Sequence, residues 1–230
     1  MQADLENLFK SKITYGWLIA GFFLSIIRVL GASFFGATSR VITQGLSDFV
    51  VIWSMLIIGI AASAVASEAG EFADSIMSKS VKRYDYILAK FASRICYVMI
   101  VYSLIATVLV GASLKVSKND YEIYGLIAAV LFVALALIML TCIGVTLSTV
   151  FSNTVISIVV LLILWYAMTF FFPLLDPSLN LLSPSNLMTQ LPNIIKGTYN
   201  GEEWKTAIGF AAISTASTAL SILYFSKKDL

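Results

Sequence analysis

From residue 67 to residue 94 the chain reads SEAGEFADSIMSKSVKRYDYILAKFASR, a charged passage set between long apolar runs. The acids Glu68, Glu71 and Asp74 come first, and Lys79, Lys82, Arg83, Lys90 and Arg94 follow, with Ser78 and Ser80 between the two blocks. Acids near a helix start and bases near its end complement the backbone dipole. The passage therefore reads as one helix, a serine-containing break at 78–80, and a second helix from about Val81. With apolar segments on both flanks, it must be a water-facing helical hairpin between two membrane spans.

Those apolar runs dominate the composition. Hydrophobic residues are 59% of the 230 and charged residues 12%, and the mean hydropathy is +0.92, which is the balance of a polytopic membrane protein rather than a soluble domain. The net charge of +2 and the lack of basic runs interleaved with aromatics speak against a nucleic-acid partner. Histidine is absent, so histidine-based catalysis is excluded. Cys96 and Cys142 both fall in apolar runs, which argues against a thiol metal site or a disulfide framework.

Six segments supply the roughly 20 apolar residues that a bilayer core requires of a helix: 13–35, 49–66, 95–114, 125–150, 154–172 and 206–225. All are read as helices, because backbone groups in lipid must be satisfied within the segment. The expected architecture is all-α, with residues 1–230 forming a single transmembrane domain. Before the first span, residues 1–12 place Leu5, Leu8 and Phe9 on one face of a short interfacial helix. Lys10, Lys12, Lys79, Lys82, Arg83, Lys90, Arg94, Lys227 and Lys228 fall on one side, against Arg40, Lys115, Lys118, Lys196 and Lys205 on the other. The richer side is expected to be cytoplasmic, which puts both termini and the 67–94 hairpin there, in a multi-pass protein of the cell membrane.

Residues 173–203 form the longest outer segment and carry all four prolines. Ser183 as N-cap with Pro184 in the first turn opens a helix whose Leu187, Leu191 and Ile195 share a face. That helix would rest at the outer interface or dip into it. Small residues at four-residue spacing, Gly16 with Ala20, Gly59 with Ser63 and Ser67, and Ala62 with Ala66 and Gly70, are expected to let helices approach closely. Arg28 is a basic residue at membrane depth, open to three roles: snorkelling to the headgroups, a structural pairing, or contact with an anionic substrate group. Asp48, Glu68, Asp120 and Glu122 read as lying at or beyond span ends, which disfavours a proton-coupled carrier. A secondary transporter or channel, a membrane enzyme, and a non-transporting scaffold subunit stay open from residues alone, although no nucleophile with a nearby base can be named.

The order of elements, and IMSKSVKRYDYILAKF at 76–91 in particular, resembles the membrane subunits of type 2 ATP-binding cassette (ABC) exporters. Ile76, Met77 and Ser78 match that family's leucine-leucine-serine-like turn, Val81 and Arg83 its following step, and Lys90 the lysine that opens the third span. Ser80 stands where the family has proline, Ala89 where it has glycine, and Gly70 is offset by one position. LLSPSNL at 181–187 and YFSKKDL at 224–230 resemble the family's outer segment and its C-terminal ending.

The resemblance implies a permease that works as a pair, either two copies of this chain or this chain with a related one. It also implies two cytosolic ABC ATPase subunits, which bind ATP and magnesium while this chain binds no cofactor. The chain has no GxxxxGK[ST] phosphate loop of its own. On this basis Glu68, Glu71, Phe72, Asp74, Ile76, Met77, Lys79 and Arg83 form a coupling helix and its flank, with Phe72, Ile76 and Met77 entering a groove of the ATPase. A path along the second and fifth spans would involve Trp53, Ser54, Ser157, Trp165, Tyr166 and Thr169, with Arg28 a further candidate. That mixed aromatic and hydroxyl lining suits export of an amphipathic peptide, lipid or drug.

Overall fold

The structure, a computed structural model, describes residues 2–35, 37–68, 83–116, 120–171, 174, 180, 182–198 and 201–227. Among these every regular element is helical, and six spans are long and apolar enough to cross a membrane. Helix α1 (Gln2–Lys10) precedes α2 (Lys12–Phe35), the first span. The second span is made of two pieces, α3 (Thr38–Val51) and α4 (Ser54–Ala62), and ends in a 3-10 turn at Ala66–Glu68. Spans three and four are α5 (Arg83–Val116) and α6 (Ile123–Val150). The fifth is α7 (Thr154–Tyr166), continued by a π-helical turn at Ala167–Phe171. A short α8 (Pro184–Ile195) leads to the last span, α9 (Glu202–Lys227).

Burial sorts the spans. In the most apolar stretch of each, 67% of span two and 56% of span four are buried, against 28% of span one and 22% of span six. Helix α6 is thus the central post, contacted by α4, α5, α7, α8 and α9. Its Val133, Ala136, Leu137 and Leu140 expose nothing. The outer helices turn Ile19, Phe23, Ile208, Leu220 and Leu223 outward, a surface that water would punish and hydrocarbon accepts.

Lipid offers little hydrophobic drive for helix association, so contact depends on close approach and hydrogen bonds. At Gly144 a Cβ would lie 2.5 Å from the Ala61 Cβ, so the glycine is what lets α6 and α4 touch. The Thr146 hydroxyl donates to the Ser217 carbonyl at 2.9 Å, joining α6 to α9. Of the predicted small residues, Gly16 and Gly59 do not serve this purpose, since a Cβ on either would meet nothing within 4 Å, whereas Ala62 and Ala66 are buried.

Two helices reach beyond the apolar segments read from sequence. Helix α3 starts at Thr38 rather than at 49, and the helix read from about Val81 starts at Arg83 and runs unbroken into the span read from 95, the two forming α5. The cause is common to both, since the polar residues of these turns face protein partners instead of lipid. The Ser39 N–H donates to Asp120 Oδ1 at 2.8 Å and the Ser39 hydroxyl to Asp120 Oδ2. A carboxylate from the connection before α6 therefore caps α3, whose own N-cap residue, Ala37, makes no side-chain cap. One expectation is corrected as a result: Asp48 lies inside the helix that carries the second span, and it is buried.

Ser183 caps α8 through the Ser185 N–H at 3.2 Å, with Pro184 in the first turn. Leu187, Leu191, Ile194 and Ile195 are buried, and α8 packs on α6 and α3 as part of the protein core. At the opposite end of the bundle α1, the start of α5 and the end of α9 meet, where the Tyr86 ring stacks on Phe225 with centroids 6.1 Å apart.

Candidate functional site

The second span is broken at Ile52 and Trp53. Both N–H groups donate to the Asp48 carbonyl, at 2.8 and 3.0 Å, and the Met55 N–H turns to the Ile52 carbonyl at 3.3 Å. Such a break leaves carbonyls to be satisfied, and in hydrocarbon an unpaired one costs several kcal/mol. Helix α7 supplies the donors. The Trp165 indole N–H reaches the Val50 carbonyl at 3.1 Å, and the Tyr166 hydroxyl reaches that of Val51 at 2.8 Å. The Ser54 hydroxyl adds a bond to the Val51 carbonyl at 3.0 Å.

Around this joint lie most of the residues proposed for a substrate path. Trp53 packs beside Trp17, ring centroids 6.5 Å apart. The Thr169 hydroxyl donates to the Trp165 carbonyl at 2.8 Å, where α7 passes into its π-helical turn, and Ser183 donates to the Met168 carbonyl at 2.8 Å. Ser157 lies two turns from Trp165 on α7, buried, with a hydroxyl that has no hydrogen-bond partner. Ser54, Ser157, Trp165 and Thr169 all turn into the protein interior.

Arg28 makes a two-pronged bond to Asp48, Nε to Oδ2 at 3.1 Å and Nη2 to Oδ1 at 3.0 Å. Parallel bonds of this kind fix both side chains in orientation as well as in charge. Arg28 is thus structurally paired, one of the roles expected for it, and the pair joins α2 to α3 one turn before the break.

The charged passage is described only at its two roots. Glu71, Phe72, Asp74, Ile76, Met77 and Lys79 lie outside the described residues. Glu68 ends the 3-10 turn and Arg83 begins α5. Just before the first root, the Val65 and Ala66 N–H groups both donate to the Ser148 hydroxyl of α6, at 2.8 and 2.9 Å. Beyond the second, Asp4 of α1 accepts from Lys90 at 3.2 Å and from the Ser93 hydroxyl at 2.6 Å, and lies 3.6 Å from Arg94 Nη2. Burial alone would raise the Asp4 pKa, but the Ser93 hydrogen bond and the charges of Arg94 and Lys90 outweigh it and hold the carboxyl below its ordinary value of 3.8.

Asp4, Asp48 and Ser148 carry these contacts, and none was singled out as a site residue from sequence. A signal existed for Asp48, because an arginine at membrane depth calls for a partner. Asp4 and Ser148 gave none, since an acid on an amphipathic helix and a serine among several near a turn have no pattern that names a distant partner.

A six-span helical protein with a mended break in one buried span, and with polar passages anchored at one end, is a multi-pass membrane protein built to hold two spans in register. Residues 49–230 match the family described as ABC-2 family transporter protein, and the chain belongs to that family. No curated protein matches it. The resemblance read from residues 76–91 is therefore borne out at the level of the family. The chain is an ABC transporter permease, a membrane-embedded transport subunit that works with an ABC ATPase.

Proposed function

We propose that this permease exports an amphipathic substrate across the cell membrane, with both termini cytoplasmic. It acts as a pair with a second copy or a related permease, and two ATPase subunits bind ATP and magnesium. The passage from Glu68 to Arg83 is the coupling element: Phe72, Ile76 and Met77 enter the ATPase, while Glu71, Asp74, Lys79 and Arg83 fix the register by charge.

The observation that carries this reading is the anchoring of the passage at both roots. A handle transmits force only if its bases do not slip. One base is held by Ser148 through two backbone N–H groups, and the other by Asp4 through Lys90 and Ser93. The first root continues into α4 and, across the Trp53 joint, into α3, so a displacement at the handle is delivered to the broken span and its α7 support. A difference in ATPase affinity between two arrangements of these spans would then shift their populations.

The test uses the permease reconstituted with its ATPase in vesicles. Glu71→Lys together with Arg83→Glu should leave the chain inserted and ATP hydrolysis by the free ATPase intact, while ATP-driven transport falls toward the rate without nucleotide. Unchanged transport would remove the coupling role. For substrate class, stimulation of ATP hydrolysis by amphipathic compounds but not by small ions is the expected result.

A further inference from the structure

Four helices wall a cleft of about 300 Å³ at the end of the bundle that carries the charged passage. It lies between α1, α2, α4 and α5, with Leu8, Met55, Ile60 and Tyr97 among its lining residues. The volume is at the lower end of the roughly 300–1,000 Å³ usual for ligand pockets, which suits one slender chain rather than two. Gly59 stands in the wall at a position where a Cβ would meet nothing within 4 Å. The glycine serves no helix contact there; it widens the cleft.

The lining is polar at one end and apolar at the other. Ser11, between α1 and α2, and Ser63, just after α4, lie at its mouth, whereas Met55 lies about 12 Å deeper than Ser63 at 1.5 Å per helical residue. Both serine hydroxyls keep bonding capacity. Ser11 Oγ accepts from the Ile13 N–H at 3.3 Å, which leaves its own proton to donate. Ser63 Oγ donates to the Ile60 carbonyl at 3.1 Å, which leaves its lone pairs to accept. Deeper in, the hydroxyls are closed on one another: Thr14 donates to the Leu8 carbonyl and so accepts from Tyr97, at 2.7 Å. Among the described residues none that lines the cleft is charged, and Lys12, exposed between Ser11 and Ile13, is outside the lining.

Resting on the export reading and the orientation proposed with it, we infer that this cleft is the loading site for the exported amphiphile. It takes a single apolar tail directed toward Met55 and an uncharged head that both donates and accepts hydrogen bonds, held by Ser11 and Ser63. A charged head would lose water at a mouth that offers it no counter-charge, which is costly. The place of the cleft also ties it to the handle. Ser63 comes three residues before the 3-10 turn at Ala66–Glu68, whose root Ser148 holds. A ligand seated against α4 therefore touches the same piece of span two that ends at the coupling passage.

The experiment uses the permease with its ATPase in phosphatidylcholine vesicles and three photoreactive probes, a monoacylglycerol, a fatty acid and an alkyltrimethylammonium. Each carries a diazirine on a chain of about ten carbons, matched to the depth of about 12 Å. Labelled peptides are mapped by mass spectrometry, and ATP-driven transport of each probe is measured alongside. The monoacylglycerol should label residues 55–63 well above the outward-facing Phe23 and Ile208, and the two charged probes should not. Gly59→Leu, which fills the cleft, should lower both that labelling and monoacylglycerol transport by about tenfold. Ser11→Ala with Ser63→Ala should keep labelling by the chain and erase the preference for the uncharged head, while Ile208→Ala, at an exposed position of α9, should change neither readout. Labelling spread evenly over the lipid-facing surfaces would overturn the site, and equal cleft labelling by all three probes would overturn the uncharged head. Transport that persists unchanged in Gly59→Leu would overturn the loading role and leave the export reading standing. Cleft labelling with no transport of any probe would instead remove the export reading, and the loading role with it.

Discussion

Two arginines sit near opposite ends of this bundle, and they are bonded differently. Arg28 offers Nε and Nη2 to the two oxygens of Asp48, at 3.1 and 3.0 Å. Arg94 approaches Asp4 with one nitrogen, at 3.6 Å, while two others have no partner. The first is a closed pair that fixes α2 against the broken span. The second is a looser contact at the root of the charged passage, where α1 meets α5.

The sharpest way to break this contrast is to open the closed pair. Asp48→Ala leaves Arg28 at membrane depth without its carboxylate and should cost about 2–4 kcal/mol, less than for a fully buried pair because the Arg28 side chain is 36% exposed. Arg28→Met combined with Asp48→Leu should recover most of that loss, and denaturant unfolding in micelles would read both. A small effect of Asp48→Ala would mean that Arg28 simply snorkels. Next in size, Trp165→Phe strips the Val50 carbonyl of its indole donor and should cost about 1–3 kcal/mol.

Asp4→Asn should cost less, about 1–2 kcal/mol, because the Asp4 side chain is 21% exposed at the bundle's edge. The sign with pH follows from the lowered Asp4 pKa. The stabilisation from this carboxylate is fully present above its ordinary value of 3.8 and is lost as pH falls through the depressed folded value, so the wild-type advantage over Asp4→Asn should vanish in acid. The smallest effect is expected of Tyr166→Phe, under about 1 kcal/mol. The Val51 carbonyl keeps the Ser54 hydroxyl after that change.

The same contrast explains what could be read from residues alone. Hydropathy located the spans because most of each helix faces lipid or an apolar core. It shortened span two and span three where Ser39, Asp48, Lys90 and Arg94 turn inward to partners, since a hydropathy count cannot see that a polar side chain is already satisfied. The start of α8 was legible because Ser183 and Pro184 act on their own helix. The contacts of Asp4 with Lys90 and of Ser148 with Val65 were not, because their partners lie 86 and 83 residues away. Of the path residues, Trp165, Tyr166 and Ser54 were singled out as a lining, and the structure joins them at the break through backbone bonds that no spacing rule contains.

The cap on α3 bears on how the chain is made. Its first turn is closed by Asp120, which follows Ser39 by 81 residues. While a ribosome is still delivering the first two spans, that carboxylate has not been synthesised. The leading end of the second span must then be left to water, headgroups or the insertion machinery. Its final position is fixed only after the third span has passed and the next connection emerges, so biogenesis of this half of the permease is a cooperative event and not a helix-by-helix one.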